Sequence, residues 1–201
     1  MRAWLLRGLT FAAVLIVVAV AHAGRTSAQI RDPRALPLAF EPIIPTKIES
    51  LLATPNLVLA ADYYWIDMRF GPNLRVDALV VEDVDARTRV KGLRVQVRDP
   101  ENRRRQDGTS YLDLDELTYL SKALTAMIDL AGKWNHDDRR ATELSVTTAG
   151  GFRLAIRQSA RVPRAFLSTG LLDPVVTSVD LADLPTVKQA FDQALTILNS
   201  K

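Results

Sequence analysis

The clearest hydrophobic pattern in the chain is an apolar stripe that starts after Asp113 and repeats at the helical period. Asp113 and Glu116 have the spacing of a capping box, in which each residue satisfies backbone N–H groups of the first turn. Gly132 follows as a stop signal. The pattern therefore predicts a long capped helix. The apolar positions of its buried face are Leu117, Leu120, Leu124, Met127, Ile128 and Ala131.

A weaker copy of this pattern begins sixty-seven positions later, with Asp180 in the place of Asp113. Pro185 departs from the copy, because proline removes a hydrogen bond when it lies beyond the first helical turn. Asp183 is therefore the alternative cap of the second helix. We interpret the two stretches as an internal repeat, with chance similarity between two amphipathic helices as the other explanation.

Runs of alternating or continuous apolar residues precede each helix and predict β-strands. In the first half they cover residues 57–70, 74–84 and 88–98, and after a charged loop a short fourth strand covers residues 111–112. In the second half they cover residues 142–148, 152–159, 161–169 and 175–179, with a hairpin at Gly150-Gly151. The predicted fold is α+β. One domain, residues 57–201, contains two tandem ββββα units, residues 57–134 and 141–201.

Gly92 interrupts the alternation of the third predicted strand. A bulge at this glycine would bring Arg89 and Lys91 to the same side as Arg94 and Arg98, and we predict such a bulge. The first half would then carry one basic face.

The second half carries further arginines, and the two basic faces together form the predicted binding surface. An exposed Trp65, within Tyr63-Tyr64-Trp65, would indicate a binding patch. Such a surface would attract an acidic glycan, lipid head groups or an acidic protein. The alternative is the solvated side of an antiparallel sheet. The predicted surface consists of Trp65, Arg89, Lys91, Arg94, Arg98, Arg153, Arg157, Arg161 and Arg164.

The N-terminal segment has the pattern of a secretory signal peptide over residues 1–23, with a second possible cleavage site after residue 28. An uncleaved anchor is the alternative, although the apolar run is shorter than the about 20 residues that span a bilayer. The chain has no Cys for a lipid anchor. We predict a periplasmic or secreted protein. Residues 24–56 are predicted to form a proline-rich arm with one short helix, capped by Thr46 and Glu49.

Loss of the signal peptide changes the charge balance. The chain has 26 Lys and Arg against 23 Asp and Glu, and cleavage after residue 23 leaves 24 basic residues. Cleavage after residue 28 leaves 23. The mature protein is therefore close to neutral, which weighs against a general polyanion binder. Because the chain contains no Cys, its stability must come from an ordinary core without disulfides.

Catalytic equipment is sparse in this sequence. His136 is the only histidine outside the signal peptide, and it lies in a short polar connection beside Asp137 and Asp138. The acidic groups near Asp83 and Asp113 have turn and capping roles. There is no Gly-x-Ser-x-Gly elbow, phosphate loop or dinucleotide fingerprint. We predict no cofactor, no metal and no enzymatic activity.

Two resemblances add to this interpretation. The segments Gly108–Leu117 and Thr142–Phe152, with Lys91-Gly92-Leu93-Arg94-Val95 before them, resemble an uncharacterised family of exported bacterial proteins of unknown function. Separately, two tandem ββββα units are similar in topology to Whirly-type single-stranded-DNA-binding proteins, a likeness of fold alone that carries no function residues.

The sequence therefore favours an exported, non-catalytic envelope or periplasmic protein that binds a protein or glycan partner through a sheet surface. The alternative is a single-stranded nucleic-acid-binding protein with a Whirly-like fold. Export and a near-neutral mature charge make nucleic acid the less favoured partner. Membrane association is expected only through an uncleaved signal peptide.

Overall fold

The computed structural model describes residues 44–66, 73–99, 101, 107–134, 141–158 and 163–201. Within these residues, one short helix precedes two sets of four strands, and each set is followed by a helix. A 3-10 turn over Leu181–Asp183 leads into the last helix. The elements are, in chain order, α1 (Lys47–Ala53), β1 (Leu59–Ile66), β2 (Leu74–Asp83), β3 (Thr88–Arg98), β4 (Asp107–Asp113), α2 (Leu114–Ala131), β5 (Thr142–Thr147), β6 (Arg153–Gln158), β7 (Pro163–Thr169), β8 (Val175–Asp180) and α3 (Leu184–Asn199).

Each set of four strands forms its own antiparallel sheet. The strand orders are β1-β2-β3-β4 and β5-β6-β7-β8, so each strand pairs with its neighbours in the sequence. This arrangement confirms the predicted α+β fold of two tandem ββββα units. The hairpin between β5 and β6 is confirmed as well, and Gly151 adopts the left-handed backbone conformation there, with φ 74°.

The helix ends follow the capping signals in the sequence. Asp113 is the N-cap of α2, and the Glu116 carboxylate accepts a hydrogen bond from the Asp113 N–H at 3.1 Å. Asp183, rather than Asp180, caps α3, and Pro185 lies in its first turn, where a missing N–H removes no helical bond. The helix predicted after Thr46 is confirmed with its capping box.

The fourth strand is longer than predicted. Residues 107–110 belong to β4, although the sequence indicates a charged loop there. The pairs Val95↔Ser110 and Val97↔Gly108 continue the ladder with β3. Gly108 and Ser110 have small side chains that give no strand signal in the sequence. Small residues are needed at these positions because the second half packs closely against them. A Cβ on Gly108 would lie 2.3 Å from Thr169 Oγ1.

The predicted bulge at Gly92 is wrong. The pairing of β2 with β3 runs in one continuous register through Leu79↔Gly92, and so does the pairing of β3 with β4. The glycine instead allows a close approach. A Cβ at this position would lie 2.0 Å from the Leu112 carbonyl oxygen and 2.5 Å from Ile48 Cδ1 of α1. Arg89 and Lys91 therefore lie on the opposite face of the sheet from Arg94 and Arg98.

Replacing Gly92 with alanine is expected to lower the free energy of unfolding by about 2 kcal/mol, because the new methyl group collides with the backbone of β4 and with α1. Urea unfolding of the purified variant measures the loss. Gly132→Ala is the control, since a Cβ there meets only ordinary contacts at 3.5 Å. An equal effect of the two substitutions would contradict the close approach at Gly92.

The two ββββα units are intertwined. Helix α3, from the second unit, packs on β1, β2 and β3 of the first sheet, whereas α2 reaches β5 of the second sheet as well as β3 and β4. Strand β3 contacts β8, and the equivalent strand β7 contacts β4. The contacts β3–β8 and β4–β7 are equivalent in the two units, whereas the packing of α3 on β2 has no counterpart of similar extent between α2 and β6. The buried faces of both sheets and both long helices form one continuous core.

A polar contact joins the two long helices. The Ser121 hydroxyl of α2 donates to the Asp192 carboxylate of α3, and Lys188 Nζ lies 2.6 Å from the other oxygen of that carboxylate. Partial burial by itself raises the pKa of Asp192, but the hydrogen bonds from Lys188 and Ser121, together with the Lys188 charge, hold the pKa below its usual value.

Asp192→Asn is expected to lower the free energy of unfolding by less than about 1 kcal/mol at pH 7, because solvent screens this partly exposed pair. A depressed folded-state pKa stabilises the protein above the unfolded-state pKa of about 3.9, and this stabilisation disappears as the pH falls through the folded-state value. Unfolding curves of wild type and variant should therefore converge at acid pH. A difference that grew toward low pH would contradict this sign.

Candidate functional site

The outer face of the first sheet, which points away from the long helices, is divided into a covered and an open part. Helix α1 covers one end, where Ile48 packs on Leu79 and Val81. The Asp113 carboxylate holds this helix by accepting hydrogen bonds from the N–H groups of Lys47 at 2.8 Å and Ile48 at 3.3 Å. The other end carries the candidate site.

We call this site the aromatic–arginine patch, and it consists of Tyr63, Trp65, Arg75, Asp77 and Arg94. The register places Trp65 opposite Asp77, and Asp77 opposite Arg94. The patch therefore spans three adjacent strands. Since side chains alternate between the faces of a strand, all five residues point outward.

Asp77 is the centre of the patch. Its side chain is fully buried although it lies on the outer face, because two arginines cover it. Arg75 donates from Nε at 3.1 Å, and Arg94 donates from Nη2 at 2.7 Å and from Nε at 3.0 Å. A buried carboxylate with two charge-assisted partners is well satisfied and holds both guanidinium groups in place.

Each of these arginines also lies over an aromatic ring. Arg94 Cζ is 4.1 Å from the centre of the Tyr63 ring, and Arg75 Cζ is 6.0 Å from that of Trp65. Trp65 is nevertheless 70% exposed and Tyr63 43% exposed. The sequence predicts a binding patch if Trp65 is exposed, and in the structure it is exposed. Binding itself stays a prediction.

Tyr111 continues the row on β4, directly opposite Arg94. Burial raises the pKa of its phenol, the neighbouring Tyr63 adds to the rise, and the Arg94 charge opposes it. Tyr111 therefore remains a neutral hydroxyl group at physiological pH and borders the patch as a donor or acceptor.

The inner-face cations of the predicted surface have structural partners. Arg89 forms an ion pair with Glu82 on the neighbouring strand, with Nε 2.6 Å from Oε2. Lys91 Nζ donates to the Leu198 carbonyl oxygen at 3.2 Å, where a cation stabilises the C-terminal turn of α3. The structure therefore separates these two residues from the patch.

The remaining predicted cations are spread over both outer faces. Arg98 lies 3.8 Å from Asp107, and Arg153 and Arg157 share the Glu143 carboxylate on β5. Arg164 lines an open cavity of about 340 Å³ with Asn73, Thr177, Ser178, Asp180 and Asp183. Arg161 lies outside the described residues. Among the described residues of the predicted surface, only Trp65 and Arg94 lie in the aromatic–arginine patch.

Arg75 and Asp77 are the patch residues that the sequence analysis missed. A signal was present, because Asp77 is a charged residue between Val76 and the apolar run Ala78–Val81 of a central strand. Charged side chains at such positions are seldom buried unless they are paired. The pairing partners, however, lie two positions along the same strand and on the neighbouring strand, and only the register identifies them.

Other kinds of site find less support in the part of the chain that the structure describes. There, no group of three or more His, Asp or Glu residues is placed to hold a metal ion. Across the same ranges, every helix is too short or too polar to cross a membrane. His136, the only histidine outside the predicted signal peptide, lies outside these ranges.

Comparison with known proteins leaves the two resemblances as predictions. They rest on the motifs and the topology described above, and neither is tested by a relative. No protein-family model, curated protein or solved structure matches the chain.

Proposed function

We propose that this chain is an exported, non-catalytic envelope or periplasmic protein that binds a partner protein on the aromatic–arginine patch. The observation that carries the proposal is the exposed pair of rings, Tyr63 and Trp65, held beside two guanidinium groups by the buried Asp77. Export is supported by the signal-peptide pattern, and the non-catalytic role by the sparse catalytic equipment of the sequence.

The chemistry of the patch suits a protein partner. Trp, Tyr and Arg are the residues that most often dominate the binding energy of protein interfaces. In this patch both arginines are ordered before binding, because Asp77 and the rings restrain them. Less side-chain freedom is then lost on association, which favours tight binding.

The shape and charge of the patch also suit a protein partner. Its residues lie on the open face of a sheet and line neither of the two cavities described for the protein, whereas sites for small molecules are usually concave. Two arginines and one aspartate leave only one net positive charge. An open, weakly charged surface with large rings is better matched by another protein surface than by a polyanion.

Trp65→Ala tests the proposal directly. We expect the variant to retain its fold, because the side chain is mostly exposed, and to lose at least about tenfold in affinity for the partner. Tyr119→Ala is the matched control, since Tyr119 is 66% exposed on α2, away from the patch. Immobilised protein is incubated with native envelope extract, and the retained proteins are quantified by mass spectrometry and then titrated individually.

The outcome that contradicts the proposal is a set of retained proteins that is the same for wild type and Trp65→Ala. Wild type, Trp65→Ala and Tyr119→Ala are also applied to a glycan array, which tests a glycan as the other possible partner of the sheet surface. Retention of glycans that depends on Trp65, without a retained protein, would assign the patch to a glycan instead.

Single-stranded nucleic acid is the second candidate, and one observation favours it. Exposed aromatic rings beside arginines can stack on unpaired bases. This alternative is tested by the binding of a labelled single-stranded oligonucleotide, measured from low to high salt concentration. An affinity that falls steeply with salt and requires Trp65 would support nucleic-acid binding. Absence of oligonucleotide binding at low salt would exclude it.

A further inference from the structure

The backbone groups of the edge strand β1 are divided between its two sides. The Val84 N–H donates to the Val58 carbonyl oxygen at 2.9 Å, so the even-numbered residues of β1 direct their N–H and C=O groups toward β2. The odd-numbered residues Leu59, Ala61, Tyr63 and Trp65 therefore direct theirs away from β2. Their side chains lie on the outer face, with the aromatic–arginine patch.

The composition of β1 lacks the residues that usually protect a sheet edge. Strand β1 is eight residues long and contains no Lys, Pro or Gly, and Asp62 is its one charged residue. Such edges pair readily with another strand. The opposite edge of the sheet differs, because the second half packs against it. At that edge, a Cβ on Gly150 would lie 1.8 Å from the Tyr111 carbonyl oxygen.

We propose that two copies of this chain associate through β1, in antiparallel register about a twofold axis at Tyr63. The two first sheets then join into one continuous sheet of eight strands, with both outer faces on the same side. In this register Tyr63 pairs with the partner's Tyr63, and Ala61 with the partner's Trp65. All of these residues direct their backbone groups outward, so each pair exchanges two hydrogen bonds.

The side chains fit this register. The large Trp65 lies opposite the partner's Ala61, which is small, and Asp62 lies opposite the partner's Tyr64 rather than another carboxylate. The alternative register about Asp62 also matches the backbone groups, but it places the two Asp62 carboxylates directly opposite each other. Like charges at opposed positions destabilise a strand pair. Of these two registers, the twofold at Tyr63 is therefore the favoured one.

The dimer adds to the proposed function without depending on it. It is carried by backbone groups of β1, whereas partner binding is carried by the side chains of the patch. Its consequence is that two patches adjoin on one surface. An isologous contact of this kind closes on itself and leaves the edge strand fully paired.

The test is the molar mass of the purified chain in solution, measured by light scattering over a range of concentrations. We expect twice the chain mass for the wild type and once the chain mass for Ala61→Pro. Proline at position 61 removes an N–H that faces away from β2, so the pairing within the sheet is retained. Ala61→Glu is a second variant, which opposes the partner's Trp65 with a large charged side chain. Ala182→Glu, at another exposed alanine, is the control and is expected to remain dimeric.

Cross-linking tests the register. Since the chain has no Cys, Tyr63→Cys provides one thiol per copy, and we expect a short bis-maleimide to link two copies. Ser178→Cys, exposed on the edge strand β8, is expected to remain unlinked. Wild type that is monomeric at about 0.1 mM, or a dimer that survives both Ala61 substitutions, would overturn the proposal. Partner capture by any monomeric form, whether wild type or Ala61→Pro, would show that the proposed function does not need the dimer.

Discussion

Phe191→Ala is expected to lower the free energy of unfolding by about 4 kcal/mol, the largest loss that we predict for a single substitution. Phe191 lies on the buried face of α3 and is fully excluded from solvent. Its ring meets that of Phe152 edge to face, with centres 6.0 Å apart and planes at 85°. Alanine removes this ring from the centre of the continuous core and leaves a cavity that the two intertwined units cannot readily close.

Chemical denaturation of purified variants measures this loss. Leu172→Ala is the control, because Leu172 is 72% exposed and its removal should change the free energy of unfolding by less than about 0.5 kcal/mol. A double-mutant cycle with Phe152→Ala is expected to give a coupling energy of about 1 kcal/mol between the rings. A loss for Phe191→Ala as small as that for Leu172→Ala would contradict the shared core.

Asp77→Ala is expected to lower the free energy of unfolding by about 3 kcal/mol, and it should weaken partner binding as well. The substitution leaves Arg94, only 19% exposed, without the carboxylate that accepts two of its hydrogen bonds. Removal of one member of a buried ion pair is strongly destabilising, because the remaining charge is left without compensation. The released Arg94 would also lose its fixed position over Tyr63.

Arg75→Ala tests how much the more exposed of the two arginines contributes to stability. Arg75 is largely exposed, so its loss is expected to change the free energy of unfolding by less than about 1 kcal/mol. Thermal and urea unfolding of the two variants, measured together, provide the comparison. If Asp77→Ala proved as mild as Arg75→Ala, Asp77 would not be the centre of the patch.

Features of the fold that arise from neighbouring residues could be predicted, whereas features that arise from contacts between distant segments could not. The start of α2 at Asp113 and the bounds of β3 were predicted correctly, because capping spacing and strand alternation are properties of neighbouring residues. The first part of β4 was missed, because Gly108 and Ser110 have no local strand signal; their place in β4 follows from pairing with β3 and close packing against the second half.

The candidate site shows the same division. Trp65 and Arg94 were singled out by residue type, and the structure places both on one surface. The grouping of Arg89 and Lys91 with them relied on a bulge at Gly92 that the register excludes. A shift of one residue reverses the face of every following side chain, so an error at one glycine misplaced half of the predicted basic face.

By itself, the sequence determined that two capped helices each follow four strands, since helical period, strand alternation and caps arise from contacts between residues close in the chain. Only the tertiary structure decided that the helices cross between the units, that Gly92 makes room for α1 and β4, and that Asp77 holds two arginines over two rings. The physical reason is that these features depend on strand register and on packing between distant segments, which no local pattern of residues encodes.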